Sequence, residues 1–240
     1  MRSLGVIPAR GGSKGVPRKN LRLVADQPLI AHAIATARDS RRLDDFVVTT
    51  DDAEIAEVAE ALGSRVILRP SDLASDEAPM GPVLRHAVLN AEASSALTYD
   101  AVVLLQPPSP IRTGADIDEV ITILEHHPDV DTVISVSQVE DAHPARMYRI
   151  GDGGELEPLW PEWEHARRQD LPPLFHRTGA LYGVRRDVVV DECGVIGRRC
   201  RPYVMPAAWV ANIDDERDLV IADVLLRQWK ALRARSDDDG

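Results

Sequence analysis

Short runs of aliphatic and β-branched residues alternate along the chain with longer segments whose apolar residues repeat at helical spacing. The apolar runs predict strands at residues 3–9, 46–50, 65–68, 101–106 and 132–136. The segments between them predict helices at residues 29–38, 53–62, 83–93 and 115–126. This alternation is typical of an α/β fold, a Rossmann-like and mostly parallel sheet flanked by helices.

The alternation stops after Val139. Residues 140–177 hold two of the four tryptophans and five prolines, at positions 144, 158, 161, 172 and 173. We interpret this segment as an inserted hairpin or small subdomain within one domain that spans residues 1–240. Strands are predicted again at 180–184 and 203–205. A last helix, at 215–235, carries an apolar stripe of Leu219, Ala222, Val224, Leu226 and Trp229.

The insert carries more apolar side chains than a hairpin can bury by itself, since an isolated two-stranded hairpin is only marginally stable. These residues are Met147, Tyr148, Leu156, Leu159, Trp160 and Trp163. Pairing two copies of the insert would cover them, and the simplest closed arrangement is a twofold dimer. The segment is therefore predicted to be a dimerisation element of a homodimer.

The charge balance of the chain limits its partners. With 28 Lys and Arg against 39 Asp and Glu in 240 residues, the formal net charge is −11. Such a chain is not expected to bind nucleic acid or anionic membranes, and it contains no apolar run of the roughly 18 residues that a membrane helix needs. Two cysteines exclude a disulfide scaffold and a four-cysteine zinc site, and we expect a cytoplasmic protein.

The first 25 residues depart from this balance, because they contain no acidic residue. Their six cations are Arg2, Arg10, Lys14, Arg18, Lys19 and Arg22. A cationic segment on an acidic protein favours a small anionic ligand over a macromolecular one.

The loop IPARGGSKGVPRKNL, residues 7–21, directly follows the first predicted strand. In open parallel sheets, ligands bind beyond the carboxyl ends of the strands. Three glycines, Gly11, Gly12 and Gly15, allow the backbone to approach an anion closely, and the cations of the loop can neutralise phosphate oxygens. The loop is neither a Walker A motif nor a G-x-G-x-x-G motif. It predicts a phosphate-binding site of another kind.

This loop resembles the signature of the acylneuraminate cytidylyltransferases, the CMP-sialic acid synthetases. Further segments agree in order: TTDD at 49–52, LRP at 68–70, LASD at 73–76, LQPPSPIR at 105–112, RQDLP at 168–172, GALY at 179–182, YVM at 203–205 and IDDERDL at 213–219. The resemblance implies transfer of CMP from CTP to an anionic acceptor, such as a sialic-acid-like sugar acid, with release of pyrophosphate. It also implies a Mg²⁺ cofactor and a homodimer.

The resemblance also assigns expected roles to residues of the nucleotide half. Arg10, Ser13 and Lys19 match residues that hold the CTP phosphates, and Arg10 and Lys19 are the expected catalytic residues. Positions near cytosine and ribose match Asn20, Arg69 and Ala78. With the loop residues above, the expected nucleotide-binding set is Arg10, Gly11, Gly12, Ser13, Lys14, Lys19, Asn20, Arg69 and Ala78.

In the acceptor half, the resemblance assigns acceptor binding to Gln106 and a reach across the dimer to Arg146. The expected acceptor-binding set is Gln106, Arg146, Arg168, His176 and Arg177. Mg²⁺ binding is expected at Asp214, with Asn212 as the second metal position.

The departures from the family pattern cluster in this acceptor half. The Asp-x-Asp metal pair of the family is replaced here by Asn212-Ile213-Asp214, and the family's arginine associated with the acceptor carboxylate is replaced by His176. Thr178 stands where the family has asparagine, and residues 195–196 are Val-Ile where an aromatic pair lines the acyl pocket. The acceptor is therefore either a sialic-acid-like sugar acid or a small phosphonate such as phosphonoformate. An alternative of another class is a protein that binds CTP without catalysis.

Overall fold

A computed structural model describes residues 1–75, 77–139 and 141–238. The last residue of the LASD segment, Asp76, and the first residue of the predicted insert, Glu140, lie outside the described residues. The strands are β1 (Ser3–Pro8), β2 (Leu23–Val24), β3 (Gln27–Pro28), β4 (Asp45–Thr50), β5 (Arg65–Leu68), β6 (Ala101–Leu105), β7 (Thr132–Gln138), β8 (Tyr148–Ile150), β9 (Leu156–Pro158), β10 (Phe175–Arg185) and β11 (Cys200–Val204). The α-helices are α1 (Leu29–Asp39), α2 (Ala53–Ala61), α3 (Met80–Ser95), α4 (Gly114–His126), α5 (Arg186–Val190) and α6 (Glu216–Asp238).

Seven of the strands form one sheet in the order β11-β7-β10-β6-β1-β4-β5. The pairs of β1 with β4 and β6, of β4 with β5 and of β7 with β11 are parallel. Only β10 among the strands of this sheet runs antiparallel to its neighbours, between β6 and β7. The prediction of a mostly parallel α/β sheet is confirmed.

Helices cover both faces of the sheet, and successive strand residues point to opposite faces. On β1, Leu4 and Val6 belong to the apolar cluster that contains residues of α3, whereas Ile7 belongs to the cluster that contains residues of α1 and α4. Burial on both faces explains the continuous apolar runs seen in the sequence. No helix among the described residues is long and apolar enough to cross a membrane.

The helix α6 packs on a third, smaller cluster that includes Val16 of the loop after β1. Leu219, Ala222 and Leu226 of the predicted stripe are buried there. Val224 is half exposed, so its inclusion in the stripe was wrong. It lies two residues from both Ala222 and Leu226, and helical geometry turns such a position away from the face that they share.

The predicted strand at 180–184 begins earlier in the structure, because β10 starts at Phe175. Its register against β7 shifts between Arg177 and Tyr182, and Gly179 between them has a positive φ of 76°. This irregularity interrupts the two-residue alternation that identifies a strand in a sequence. The last residues of the predicted insert therefore pair with β7.

Within the insert, β8 and β9 form the short antiparallel hairpin that the sequence predicted. Ile150 and Leu156 lie opposite each other across the hairpin, and they are 78% and 66% exposed. The Trp160 ring contacts His143 edge-on, with 5.8 Å between ring centroids. The hairpin thus leaves an apolar surface uncovered, and its role in dimerisation stays a prediction.

Substitution of the residue that follows α3 tests the backbone conformation at the end of this helix. Ala96, which follows the helix, has a left-handed backbone with φ of 53°, a conformation that costs an alanine more than a glycine. We expect Ala96→Gly to raise the free energy of unfolding by about 1 kcal/mol. The matched control is Ala35→Gly, an exposed position inside α1, which should lower it by about 1 kcal/mol. Urea denaturation measures the free energy of unfolding of both variants. Equal destabilisation of the two would contradict the left-handed backbone conformation of Ala96.

Candidate active site

A cavity of about 290 Å³ opens beyond the carboxyl ends of β1 and β6. Three chain segments line it, the loop after β1, the segment after β5 and the turn after β6. Of the residues named from the sequence, the cavity is lined by Arg10, Gly12, Ser13, Lys19, Asn20, Arg69, Ala78 and Gln106. Gly11 and Lys14 lie in the same loop outside this lining. The structure thus brings most of the expected nucleotide-binding set together at one edge of the sheet, where ligands of open parallel sheets bind.

The loop after β1 is held by its own buried asparagine. Asn20 donates a hydrogen bond from Nδ2 to the carbonyl oxygen of Arg10 at 3.0 Å. It lies in a single 3₁₀ turn, Lys19–Leu21, that follows the left-handed residue Arg18. The guanidinium of Arg10 in turn donates to the carbonyl oxygen of Ser75 at 3.0 Å, which connects the loop to the segment after β5.

The three glycines of the loop serve different purposes. A Cβ on Gly11 would lie 2.4 Å from a carboxylate oxygen of Asp52, and a Cβ on Gly15 would lie 1.8 Å from the carbonyl oxygen of Asp214. Both glycines therefore allow close packing of the loop against neighbouring segments. A Cβ on Gly12 would meet no atom within 4 Å, and Gly12 lines the open cavity.

Lys19 joins the loop to the segment that precedes α6. Its Nζ donates to the carbonyl oxygen of Ile213 at 2.5 Å and lies 3.5 Å from Oδ1 of Asp214. The lysine side chain is only 13% exposed, whereas the Asp214 carboxylate is 72% exposed. The ammonium group is therefore fixed in position beside the cavity, and the carboxylate next to it remains open to solvent.

Arg69 forms the opposite wall. It is buried, and its Nη2 donates to the carbonyl oxygen of Thr49 at 2.6 Å. Burial lowers the pKa of the Arg69 guanidinium from its ordinary value, and no described residue accepts a hydrogen bond from its Nε. This arginine ties the segment after β5 to the end of β4.

Asn212 and Asp214 form the candidate metal position. Nδ2 of Asn212 donates to Oδ2 of Asp214 at 2.6 Å, and its Oδ1 accepts from the Ser109 hydroxyl at 3.3 Å. No group of three or more His, Cys, Asp or Glu residues capable of holding a metal occurs among the described residues. Mg²⁺ usually keeps several waters and binds through one or two carboxylates together with substrate phosphates. The exposed Asp214 carboxylate therefore suits such an ion, whereas Asn212 turns its amide nitrogen toward that carboxylate and its oxygen toward Ser109.

The remaining acceptor candidates lie elsewhere in the chain, and among them only Gln106 belongs to the cavity lining. Arg146 is exposed, and its guanidinium donates to the carbonyl oxygens of Glu164 and Ala166 within the insert. Arg168 forms an ion pair with Asp141 at 3.3 Å.

The two candidates on β10 are exposed near its start. His176 and Arg177 lie opposite Ser137 and Val136 of β7, respectively. The described residues of a single chain therefore do not gather the expected acceptor-binding set around the cavity.

Sequence reasoning gave no role to Arg112, which holds the turn after β6 in place. It is 3% exposed, and its Nη1 donates to the carbonyl oxygens of Gln106 at 2.8 Å, Ser109 at 2.7 Å and Ala180 at 3.1 Å. Burial lowers the pKa of Arg112 to about 9. The only sequence signal was its place at the end of the matched segment 105–112, and a single sequence does not reveal that this arginine is buried.

Comparison with known proteins identifies the family of this chain. The model of the cytidylyltransferase family matches residues 4–147. The CMP-N,N'-diacetyllegionaminic acid synthase of Legionella pneumophila is 32% identical over 94% of this chain and 97% of its own length. The post-translational flagellin modification protein B of Campylobacter coli is 29% identical over 97% of both chains. The N-acylneuraminate cytidylyltransferase of Streptococcus agalactiae is 32% identical over 92% of this chain, which spans 52% of that relative's length.

Solved structures share the fold. A CMP:2-keto-3-deoxy-manno-octonic acid synthetase complexed with CTP has a TM-score of 0.71 and covers 95% of this chain at 19% identity. A 4-diphosphocytidyl-2C-methyl-D-erythritol synthase from Anaerococcus prevotii has a TM-score of 0.63 at 12% identity. These two likenesses concern the fold alone.

The family match and the relatives confirm the resemblance that the loop at residues 7–21 indicated. The matched range contains every segment that lines the cavity, from the loop after β1 to the turn after β6. This chain is therefore a nucleotidyltransferase that belongs to the cytidylyltransferase family.

Proposed function

We propose that this chain transfers CMP from CTP to a sialic-acid-like sugar acid and releases pyrophosphate. The observation that carries the proposal is the convergence of Arg10, Lys19 and Arg69 around one cavity beyond the parallel strands. The names of the relatives support the acceptor class, since they refer to N-acylneuraminate and N,N'-diacetyllegionaminic acid, and in a Campylobacter jejuni relative to pseudaminic acid.

The reaction makes demands that these side chains meet. An oxygen of the acceptor attacks the α-phosphorus of CTP, a new P–O bond forms, and the bond to the bridging oxygen of the departing pyrophosphate breaks. Catalysis of such a transfer consists mainly of positioning and charge neutralisation. Lys19 is fixed by Ile213, and Arg10 is fixed by Ser75, so both cations are held in place before a triphosphate arrives.

Mg²⁺ belongs to the same proposal. Asp214 would hold the ion through its exposed carboxylate, and the side chain beside that carboxylate is the neutral amide of Asn212. When bound, Mg²⁺ would offset negative charge on the triphosphate. An amide in place of a second carboxylate weakens attraction for the cation, and it also removes one negative charge beside an anionic acceptor.

A pyrophosphate-release assay with CTP, Mg²⁺ and a panel of acceptors tests the proposed function. We expect turnover with CTP and sialic-acid-like sugar acids, at rates at least about tenfold above those with UTP, ATP or GTP as the nucleotide or with phosphonoformate as the acceptor. Turnover with phosphonoformate alone would overturn the acceptor class and keep CMP transfer. Tight CTP binding without pyrophosphate release for any acceptor would favour the non-catalytic alternative.

Substitution of Asn212 and, separately, of Asp214 tests whether these residues form the Mg²⁺ site. We expect Asn212→Asp to lower the Mg²⁺ concentration for half-maximal activity about three- to tenfold, because a carboxylate binds the cation better than an amide does. Asp214→Asn should nearly abolish activity. The matched control, Asp191→Asn, changes an exposed aspartate outside the cavity and should behave like the wild type. An unchanged Mg²⁺ dependence in Asn212→Asp, with full activity in Asp214→Asn, would contradict the assignment.

We further propose that the enzyme is a homodimer in which the insert of one subunit completes the site of the other. Two features support this arrangement. The β8–β9 hairpin exposes Ile150 and Leu156, and a second copy would cover them. Arg146 is held on the exposed side of the same insert and lies outside the cavity lining of its own chain.

Mixing of two inactive variants tests this arrangement. Lys19→Ala removes a cation from the cavity, and Arg146→Ala removes one from the insert. After subunit exchange, we expect about a quarter of wild-type activity, because half of the dimers are mixed and one of the two sites in each is intact. Each variant alone is the control. If subunit exchange is demonstrated with tagged subunits and activity still does not recover, completion of the site by the partner is contradicted. A monomer at micromolar concentration would exclude the dimer.

A further inference from the structure

A second cavity, of about 520 Å³, lies outside the nucleotide pocket. The end of α1, the start of α4 and one side of α6 form its walls, and it shares no lining residue with the first cavity. Arg112 in its wall holds the turn after β6, and the proposed reaction assigns no role to the other wall side chains.

Most of the charged side chains in its wall are cations. Four cations line the cavity, namely Arg41, Arg112, Lys230 and Arg233. None of the four forms an ion pair with a carboxylate in the described part of the chain. Elsewhere in the structure, ion pairs are formed by Arg18, Arg22, Arg42, Arg65, Arg186 and Arg227. In a chain of net charge −11, this cavity gathers four cations against two carboxylates, Asp39 and Asp118.

Two carboxylates in the wall compensate little of this charge. Asp118 accepts hydrogen bonds from the Ser40 hydroxyl at 2.6 Å and from the backbone amides of Arg41 and Arg42, so it is engaged in holding the chain after α1. Asp39 is exposed at the end of α1. The cavity therefore keeps an excess of cations over carboxylates.

Arg112 is the most buried of the four cations. Its Nη1 donates to three carbonyl oxygens, while Nε and Nη2 find no hydrogen-bond partner among the described residues. A buried cation without a paired anion is costly, and an anion in the adjoining cavity would offset part of that cost.

The start of α4 also borders the cavity, although the Asp116 carboxylate of its first turn accepts from the Thr113 amide and offsets part of the helix dipole. Gly114 and Ala115, the first two residues of this 13-residue helix, belong to the cavity wall. The capping side chain of Thr113 accepts from the backbone amide of Asp116, one turn further on. The N-terminus of a helix attracts anions through its first amides and its dipole.

The opposite wall comes from α6 and includes an aromatic side chain. Trp229 lines the cavity, and the guanidinium of Arg233 lies 5.0 Å from its ring centroid. Lys230 is exposed next to it. The volume exceeds what a single phosphate fills, so an organic group has room beside the indole.

We propose that this cavity is a second anion site, separate from the nucleotide pocket, that binds a small phosphorylated molecule. Guanidinium and ammonium groups together with helix amides are the donors that recognise phosphoryl oxygens. The side chains that reach the anion are Arg41 and Lys230, with Arg112 beneath them as a buried source of positive charge.

Titration of the wild-type protein with inorganic pyrophosphate, and in a second arm with inorganic phosphate, tests this site. Binding is followed by tryptophan fluorescence, and the relevant signal is the part that disappears in Trp229→Phe, because this ring lies in the cavity wall. A response to both probes means that one phosphoryl group suffices. A response to pyrophosphate alone means that a diphosphate is required.

Substitutions test whether the fluorescence signal comes from binding in the second cavity. We expect Lys230→Ala and Arg41→Ala each to weaken the Trp229-dependent binding about tenfold, the effect of losing a hydrogen bond to a charged group. Both side chains are exposed, so the fold should be retained, and thermal denaturation checks this. Lys19→Ala in the nucleotide pocket and Arg198→Ala, an exposed arginine outside both cavities, should leave binding unchanged.

Two results would overturn the proposal. The first is the absence of any Trp229-dependent response to either probe up to ~10 mM. The second is a response that Lys19→Ala abolishes while Lys230→Ala and Arg41→Ala leave it intact, since the anion would then bind in the nucleotide pocket.

Discussion

The site depends on one contact between distant parts of the chain, in which the loop after β1 packs against the segment before α6. Gly15 lies so close to the backbone of Asp214 that no side chain fits, and Lys19 donates to the carbonyl oxygen of Ile213. This contact places the ammonium group beside the Asp214 carboxylate and fixes the loop as one wall of the cavity. Substitution of either partner would change the position of the Lys19 ammonium group and of the candidate metal ligand together.

Arg112 supports the other side of the cavity by a different means. One guanidinium nitrogen satisfies three carbonyl oxygens, two of which belong to the turn that presents Gln106. The third, on Ala180, belongs to β10, the reversed strand of the sheet. A buried hydrogen-bond network of this kind specifies one arrangement of a turn, because each carbonyl oxygen left without a donor would cost free energy. The same arginine lies in the wall of the second cavity.

The nucleotide and acceptor halves of the site are organised differently. Nucleotide candidates such as Arg10, Asn20 and Arg69 are linked to the scaffold by hydrogen bonds to backbone carbonyl oxygens. Acceptor candidates such as Arg146 and Arg168 lie in the insert and bond to other parts of that insert. The candidates of the two halves are therefore held by different parts of the chain, the nucleotide candidates by the scaffold and Arg146 and Arg168 by the insert.

The sequence by itself determined the elements and the chemistry of the loop. Strand and helix periods are local properties, so the parallel strands and the helices between them were predicted to within a few residues. The glycines and cations of loop 7–21 are likewise visible in the sequence, and they led to the prediction of a phosphate site there. The tertiary structure alone decided the reversed direction of β10, the burial of Arg112 and the meeting of Lys19 with Asp214. A residue pattern reports which face of an element is apolar, but strand direction and contacts between distant residues depend on how all elements pack together. For the same reason, the second cavity, whose walls come from α1, α4 and α6, had no signal in any single stretch of sequence.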